Sequence, residues 1–479
     1  MSKSIHSLMN QCDAIDLANH IKQGDISAAE VLKASIERLE AVNPELNAVA
    51  ERLYDTAAQA PTTDGPFEGV PTLIKDMFSP VKEARTTNGS HALGEARPGL
   101  DDAVVSRLRA SGCRFIGTTT APEFGISYTT ESARFGATRN PWNTDHSAGG
   151  SSGGAAALVA ARVLPFAHGN DGGGSIRVPS SCCGVFGLKP SRGLVPSGPL
   201  VGEGWGGMTT THAITLSVRD SAALLDVVAG SDLGAPYAAP IAMQGYQSSL
   251  ATPVRKLRIA VVEDAGPFAL SNDAKANVLH TAKLCESLGH DIEMVKFPIV
   301  LMPFFDAVYN IIAPNTKSYL SMLGDMRGAP VNDEELEATV RILLREKGDI
   351  SAVQYTQAIE HIHRMGREMA QFLTEYDVLL TSTLAHQPPQ IGDIHVTDDS
   401  LSLDDFTQLS HGYSPYTAVF NATGQPAMSV PLYWTAKGLP MGAHFVGRFG
   451  DEVTLLQLAA QLEAAHPWKS RIPSVNACL

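Results

Sequence analysis

The sequence predicts an α/β fold, one large domain with a central mixed β-sheet covered by helices on both faces. Three observations carry this. Helical and extended segments alternate along the whole chain, the pattern of a sheet layered with helices. No internal repeat, low-complexity segment or linker interrupts it. Its 479 residues, 44% hydrophobic and 18% charged, are enough for a large core.

The elements follow in order. Ser27 with Glu30 three residues on is a capping-box start, and Leu32, Ile36 and Leu39 then share one face. Asn43-Pro44 is expected to close that helix. GVPTLIKD (Gly69–Asp76) is a short apolar run that reads as a strand. Asp102 to Ala110 is helical with Gly112 as its stop, and CRFIGT (113–118) is a strand. Ala155 to Val163 and Ser217 to Gly230 are helical. KLRIAVVED (256–264) is a buried strand, and Ala274 to Leu288 a helix ending at Gly289. Phe304 to Leu373 is mostly helical. DVLLTST (377–383), PAMSVPL (426–432) and GAHFVGR (442–448) read as strands, and Val453 to Ala464 as the last helix. Gly234–Pro240 and Gln387–Gly392 are surface loops by their proline and glycine content.

Composition narrows the function. Lys+Arg 36 against Asp+Glu 50 gives a net charge of −14, the wrong sign for a nucleic-acid partner. The first twenty residues lack the apolar core of a signal peptide, and AAALVAARVLPFA is too short to span a bilayer. No membrane partner is expected. The six cysteines form no CxxC pair and read as buried thiols of a cytoplasmic protein.

Two glycine-framed serine clusters stand apart: GGSSGG at 149–154 and GGGS at 172–175. A phosphate loop is excluded because no lysine follows either cluster. A dinucleotide site needs a strand before the glycines, and TRNPWNTDHSA is not expected to form one. Gly149–Gly153 matches the G-x-S-x-G nucleophile elbow, but that motif also needs a preceding strand and a later Asp…His pair. His411 and His444 lie downstream with nothing to single them out. A serine becomes a nucleophile when a base takes its proton, and a neutral lysine can be that base. Such a lysine must be buried, since an ordinary amine titrates near about 10.4 and desolvation lowers it. Lys75, after the apolar GVPTLI and before Asp76, fits.

These residues resemble the amidase signature family, whose core reads roughly GGSSGG, GSDTGGSIRxPA and CGVVGLKPT, with a lysine in G(V/I)Pxx(I/V)KD. This chain has GGSSGG at 149–154, GNDGGGSIRVP at 169–179, CGVFGLKPS at 183–191 and GVPTLIKD at 69–76. Separations of 151 − 75 = 76 and 175 − 151 = 24 residues are close to the family's. SRLRASGCRFIGTTTAPEFG (106–125), ATRNPWN (137–143) and FNATGQPAMSVP (420–431) extend the likeness over nearly the whole chain.

The resemblance implies a single amidase-signature domain over residues 1–479, with a catalytic core at about 65–220 and substrate-pocket helices at about 300–375. It implies a Ser–cis-Ser–Lys triad. Ser175 is then the nucleophile, and Ser151, after a cis peptide from Gly150, passes its proton towards Lys75. Backbone N–H groups of Gly172, Gly173, Gly174 and Ser175 form the oxyanion hole, where close approach requires residues without side chains. Ser152 and Asp171 support the triad, and Arg177 braces the loop. The chemistry implied is acyl transfer with no metal or cofactor; no HExxH or clustered ligand spacing is present. Activity should favour alkaline pH, because Lys75 must lose its proton.

The chain departs from the pattern in places. Gly172 stands where the family usually has threonine, so the loop is expected to gain freedom. The usual GKTN block appears as Gly117-Thr118-Thr119-Thr120. The family includes the glutamine-hydrolysing component of glutamyl-tRNA amidotransferase, which works with partner chains and typically reads TYGRVSR after its LKP block; this chain reads SRGLVPSGP (191–199). That favours a stand-alone amidase, monomeric or homodimeric, over the partner-dependent component. ATRNPWN, AHGND (167–171) and QLEAAHPW (461–468) most resemble the 6-aminohexanoate-cyclic-dimer hydrolase (nylon-oligomer) group, implying aliphatic or aryl amides, lactams or carbamates as small-molecule substrates. Residues 197–212, with Trp205 and Met208, are expected to form a lid presenting an apolar face to substrate. The stretch Asp306–Leu323 is expected to supply the far wall. Two further readings are a catalytically silent binding protein on the same fold, and a nitrilase-type enzyme using Cys182 or Cys183.

Overall fold

In the computed structural model, which describes residues 5–95 and 97–478, two sheets abut at the strand that carries Lys75. The first four residues of the stretch read for a leader lie outside the described residues. Val49–Arg52 (β1), Pro71–Lys75 (β2) and Arg114–Thr119 (β3) form a three-stranded sheet in the order β1–β3–β2. β2 runs parallel to β3 with Lys75 opposite Thr119. Every residue of β2 is buried, as in a strand covered on both faces.

Eight further strands make the main sheet: Phe166–Asp171 (β4), Phe186–Lys189 (β5), Thr210–Thr215 (β6), Arg258–Val261 (β7), Asp291–Met294 (β8), Val378–Ser382 (β9), Ala427–Trp434 (β10) and Pro440–Val446 (β11). Their order is β8–β7–β9–β11–β10–β5–β6–β4. β7 pairs parallel with β8 and β9, and the other neighbours are antiparallel, so the sheet is mixed. Successive residues point to opposite faces. Ile259, Val261 and Phe445 join one core cluster with helical Leu108, Leu224 and Leu455. Ala260, Val262 and Val446 join another, with helical Phe304, Ile362 and Phe420. Helices therefore cover both faces.

Edge strand β4 meets β2. The Thr72 hydroxyl donates to the Phe166 carbonyl at 3.2 Å, and the Lys75 N–H donates to His168 Nδ1 at 3.2 Å. These two bonds join the small sheet to the large one and fix where Lys75 emerges.

The helices that matter for the site are Ala28–Leu46 (α1), Gly153–Ala160 (α2), Arg177–Cys183 (α3), Leu301–Arg327 (α4), Ala338–Lys347 (α5), Ala352–Glu375 (α6) and Thr417–Thr423 (α7). α1 opens on the expected capping box, Ser27 and Glu30 each accepting the other's backbone N–H. It does not end at Asn43-Pro44. One more turn follows, and Asn47 in a left-handed conformation (φ 51°) closes it, its N–H donating to the Asn43 carbonyl at 2.8 Å. α2 begins at Gly153, earlier than expected, directly after the first serine pair.

Residues 139–147 also correct the sequence reading. Arg139–Asn140 and Asn143–Ser147 form a small hairpin turned at Pro141-Trp142, with Arg139 opposite Ser147. The proline sits in the turn, where its missing N–H costs nothing. This pair is a separate two-stranded sheet and adds nothing to the main one.

α2 packs so closely that its glycines are obligatory. A Cβ on Gly154 would lie 2.6 Å from the Ala48 carbonyl oxygen and 2.7 Å from Thr120 Oγ1. Backbone cannot retreat like a flexible side chain, so Gly154→Ala should destabilise the protein by about 1–3 kcal/mol despite alanine's better helix propensity. Urea denaturation tests this; an unchanged or raised midpoint would contradict the packing described.

Candidate active site

The GGSSGG loop enters α2 through the cis Gly150–Ser151 peptide. Gly149 (φ 77°) and Gly150 are tightly enclosed: a Cβ on Gly150 would lie 2.4 Å from the Thr129 carbonyl oxygen. The Thr130 hydroxyl clasps the loop, donating to the Gly149 carbonyl at 2.8 Å and accepting from the Gly153 N–H at 3.0 Å. Ser151 and Ser152 are thereby fixed at the helix entry. Ser151 Oγ lies 2.7 Å from Lys75 Nζ. The Ser152 hydroxyl donates to the Asn170 carbonyl at 3.2 Å, and its N–H donates to the Ser175 carbonyl at 3.2 Å. The two serine clusters, separated in sequence, are thus joined through backbone.

Lys75 is 0% exposed. Its Nζ also donates to Asn170 Oδ1 at 2.5 Å. Asn170 is held in that orientation because its amide N–H donates to the Met77 carbonyl at 2.7 Å. Burial pushes the Lys75 amine down to about 7, against a partial opposing pull from the Asp171 carboxylate. Asp76 faces Thr87, whose N–H donates to it at 2.7 Å and whose hydroxyl also bonds it. His168, beneath Lys75, is pushed down to about 3 by burial and by the charges of Lys75 and His212, so it adds no second positive charge.

The second cluster, 171–175, leaves β4 and enters α3. Asp171 is its anchor. Its carboxylate accepts from the Ile176 N–H at 3.1 Å and forms an ion pair with Arg177 at 2.9 Å, both side chains being fully buried. Burial raises such a carboxyl, but the Arg177 charge and hydrogen bonds outweigh it and hold Asp171 ionised, well below the usual range. Arg177 spends its other N–H groups on the Thr417 carbonyl at 2.9 Å, His444 Nε2 at 3.0 Å and Asn421 Oδ1 at 2.6 Å. It is therefore a buried brace. The Gly173 carbonyl accepts from Tyr128 Oη at 3.0 Å and Thr417 Oγ1 at 2.7 Å, and the Gly174 carbonyl from the Val178 N–H at 2.7 Å. Ser175, at 6% exposed, has slightly more access than Lys75.

Gly172 does not loosen the loop. A Cβ there would lie 2.8 Å from Trp205 Cζ3 and 3.3 Å from Thr209 Cγ2, so the Trp205 ring occupies the space a larger residue would need. Trp205 itself has a positive φ of 50°. Met208 is 2% exposed and belongs to the apolar cluster with Phe304 and Ile311. That places it in the core, not on an open apolar face. The expected lid over 197–212 is also narrower: Thr210–His212 already belong to β6, with Thr210 opposite Asp171. Gly206 lies against Ile311 of α4 and Ile359 of α6. Only Leu200 and Val201 stand out as exposed apolar residues in that stretch.

The competing sequence readings find no support in this geometry. Cys182 and Cys183 are fully buried in α3, and burial pushes the Cys182 thiol up to about 12 and Cys183 well above its ordinary value, away from nucleophilic thiolate. His444 is pushed well below its ordinary value by burial and by Arg177, and bonds the Thr381 hydroxyl and Arg177. His411 bonds Tyr128 Oη at 3.2 Å. Among the described residues, no group of three His, Cys, Asp or Glu side chains is placed to hold a metal, and no helix is long and apolar enough to cross a membrane.

Sequence reasoning passed over Asn170, Tyr128, Thr417 and Asn421. For Asn170 a signal existed: the chain reads GND where the family pattern reads GSD. The others had none, since they reach the loop from distant segments.

A mixed sheet, a buried lysine on a serine and a glycine loop braced by an ion pair form the layout of a serine amidohydrolase. The Amidase family profile matches residues 30–456. The 6-aminohexanoate-cyclic-dimer hydrolase of Paenarthrobacter ureafaciens is 36% identical over 476 residues, covering 97% of this chain and 96% of that protein. Among solved structures, a 6-aminohexanoate cyclic dimer hydrolase complexed with substrate matches with a TM-score of 0.93 at 34% identity, covering 97% of this chain and 99% of that one. A bacterial aryl acylamidase of the amidase signature family matches at 0.87 and 29%, covering 95% and 96%. The glutamyl-tRNA(Gln) amidotransferase component from Thermotoga maritima is more distant, at 0.78 and 25%, covering 98% of each chain. The chain belongs to the amidase signature family. Within it, the chain is a stand-alone amidase, and the amidotransferase component is a more distant relative.

The contact between Gly172 and Trp205 yields a direct test. Gly172→Ala should displace the Trp205 ring, shifting the indole emission, and the shift should vanish when Trp205→Phe is added. An emission spectrum unaltered by Gly172→Ala would contradict the packing.

Proposed function

We propose that this amidase hydrolyses the C–N bond of small aliphatic or aryl amides, including cyclic amides and carbamates, through an acyl-enzyme on Ser175. The observation that carries the proposal is the 2.7 Å contact between Ser151 Oγ and the buried amine of Lys75. An amine brought down to about 7 is largely neutral just above neutral pH and can accept a proton. Asn170 takes one of its N–H groups, which leaves the nitrogen lone pair free to face Ser151.

Ser175 Oγ attacks the substrate carbonyl carbon as its proton moves to Ser151 Oγ, whose own proton moves to Lys75 Nζ. Backbone N–H groups of residues 172–175 receive the negative charge that develops on the carbonyl oxygen. The relay then runs in reverse: Lys75 returns a proton through Ser151 to the leaving nitrogen, the C–N bond breaks and the amine departs. Water, activated by the same relay, releases the acid from Ser175. Ser152 and Asp171 hold the two loops in place. Trp205, over Gly172, is the apolar wall beside the reacting carbonyl.

The substrate class rests on likeness to the 6-aminohexanoate-cyclic-dimer hydrolase and the aryl acylamidase, together with this apolar wall. The remaining parts of the proposal are a catalytic core over about 65–220, pocket helices over about 300–375, and a cytoplasmic monomer or homodimer whose cysteines are free thiols.

Ser175→Ala should lower kcat on a short-chain acyl p-nitroanilide by at least about 10⁴-fold. It should also abolish the acyl adduct seen by intact mass in the unaltered enzyme. Full activity in Ser175→Ala would refute the assignment. Because Lys75 must be neutral, kcat/KM should rise with pH through about 7 and level off above it. A profile flat across that region would contradict the role of Lys75.

A further inference from the structure

We infer that Tyr128 and Thr417 are positioning residues that aim the oxyanion hole, by holding the Gly173 carbonyl turned away from the reacting oxygen. The inference rests on the proposed role of residues 172–175.

Gly173 O is met by two side-chain hydroxyls at once, Tyr128 Oη at 3.0 Å and Thr417 Oγ1 at 2.7 Å. They come from distant segments of the chain, a loop before the GGSSGG cluster and the first residue of α7. The peptide between Gly173 and Gly174 is trans, so its C=O and N–H point in opposite directions. Fixing the oxygen from behind therefore fixes the Gly174 N–H in front. A peptide free to rotate would spend part of its time offering a carbonyl oxygen to an anion; two donors suppress that state before substrate arrives. This is the preorganisation that an oxyanion site requires.

Gly174 makes the approach possible. Its φ of 142° lies in the region that favours glycine, and a Cβ would fall 2.5 Å from Thr417 Oγ1. Tyr128 has one proton. Given to Gly173 O, it leaves the phenol oxygen to accept from His411 Nδ1, 3.2 Å away, which sets the His411 tautomer. The His411 ring stacks on Phe305 of α4 at 3.9 Å and 19°. Burial holds His411 neutral, at about 3, which suits this single-donor role. The oxyanion loop is therefore tied, through Tyr128 and His411, to a helix of the proposed substrate pocket.

The test compares Tyr128→Phe, Thr417→Val and Thr417→Ser with the unaltered enzyme and with Ser175→Ala. Each is measured for kcat and KM on an acyl p-nitroanilide and for Ki of an alkyl boronic acid, which becomes tetrahedral on the serine. Tyr128→Phe and Thr417→Val should each lower kcat by about tenfold, less than the roughly 10²–10³-fold expected for outright loss of an oxyanion donor. Ki should rise by the same factor while KM stays within about twofold, because only the tetrahedral state uses these donors. Thr417→Ser keeps the hydroxyl and should restore kcat, which a purely packing role would not require. Wild-type kcat and Ki in both deletions, with Ser175→Ala inactive, overturn the inference alone. A raised KM at unchanged Ki also overturns it, by making the hydroxyls substrate contacts. Activity retained in Ser175→Ala overturns the underlying reading instead.

Discussion

The structure depends on keeping one lysine amine out of water. An exposed amine would stay protonated at neutral pH and could take no proton. Lys75 escapes this because the strand that carries it is buried along its whole length and because the edge of the main sheet closes over it. Such burial is costly unless the group is hydrogen-bonded, and Ser151 and Asn170 supply the bonds without supplying charge. A carboxylate at either position would hold the amine protonated. The Asp171 carboxylate, whose charge pulls the other way, is paired with Arg177, and its pull on Lys75 is only partial.

That ion pair links the lysine to the glycine loop. One carboxylate organises the start of α3 and fixes the Arg177 guanidinium. Arg177 then reaches α7 and β11 through Thr417, Asn421 and His444. A fully buried ion pair is rarely the most effective way to stabilise a fold. Here both carboxylate oxygens and every guanidinium nitrogen of the pair have a defined partner, which favours a single geometry over a merely stable one.

Much of this was legible in the sequence because catalytic loops have strict local requirements. Glycines at 149, 150, 172 and 174 mark places where a side chain would have no room, and the apolar run before Lys75 marks a buried strand. The mixed sheet with helices on both faces was legible from alternating elements. What was hidden was nonlocal. β4, reading FAHGND, carries a glycine and two turn-favouring residues, and becomes a strand only because β6 pairs along its whole length. Pro44 read as a helix end, but tertiary packing carries one turn past it. Met208 looked like a pocket residue because it neighbours Trp205, yet it points into the core. Gly172 looked like a gain of freedom, and nothing local says that Trp205, 33 positions on, fills the gap. Tyr128 and Thr417 meet on one carbonyl from 289 positions apart, beyond the reach of any motif.

The central claim is that Lys75 is neutral near physiological pH in the folded enzyme. It can be measured directly by following the Lys75 side chain through a pH titration by NMR, with lysine labelled at Cε and the resonance assigned by its loss in Lys75→Met. The expected midpoint lies near 7, well separated from the surface lysines. A Lys75 resonance titrating above about 10 with the exposed lysines would contradict it, since the amine would then be charged wherever the enzyme works.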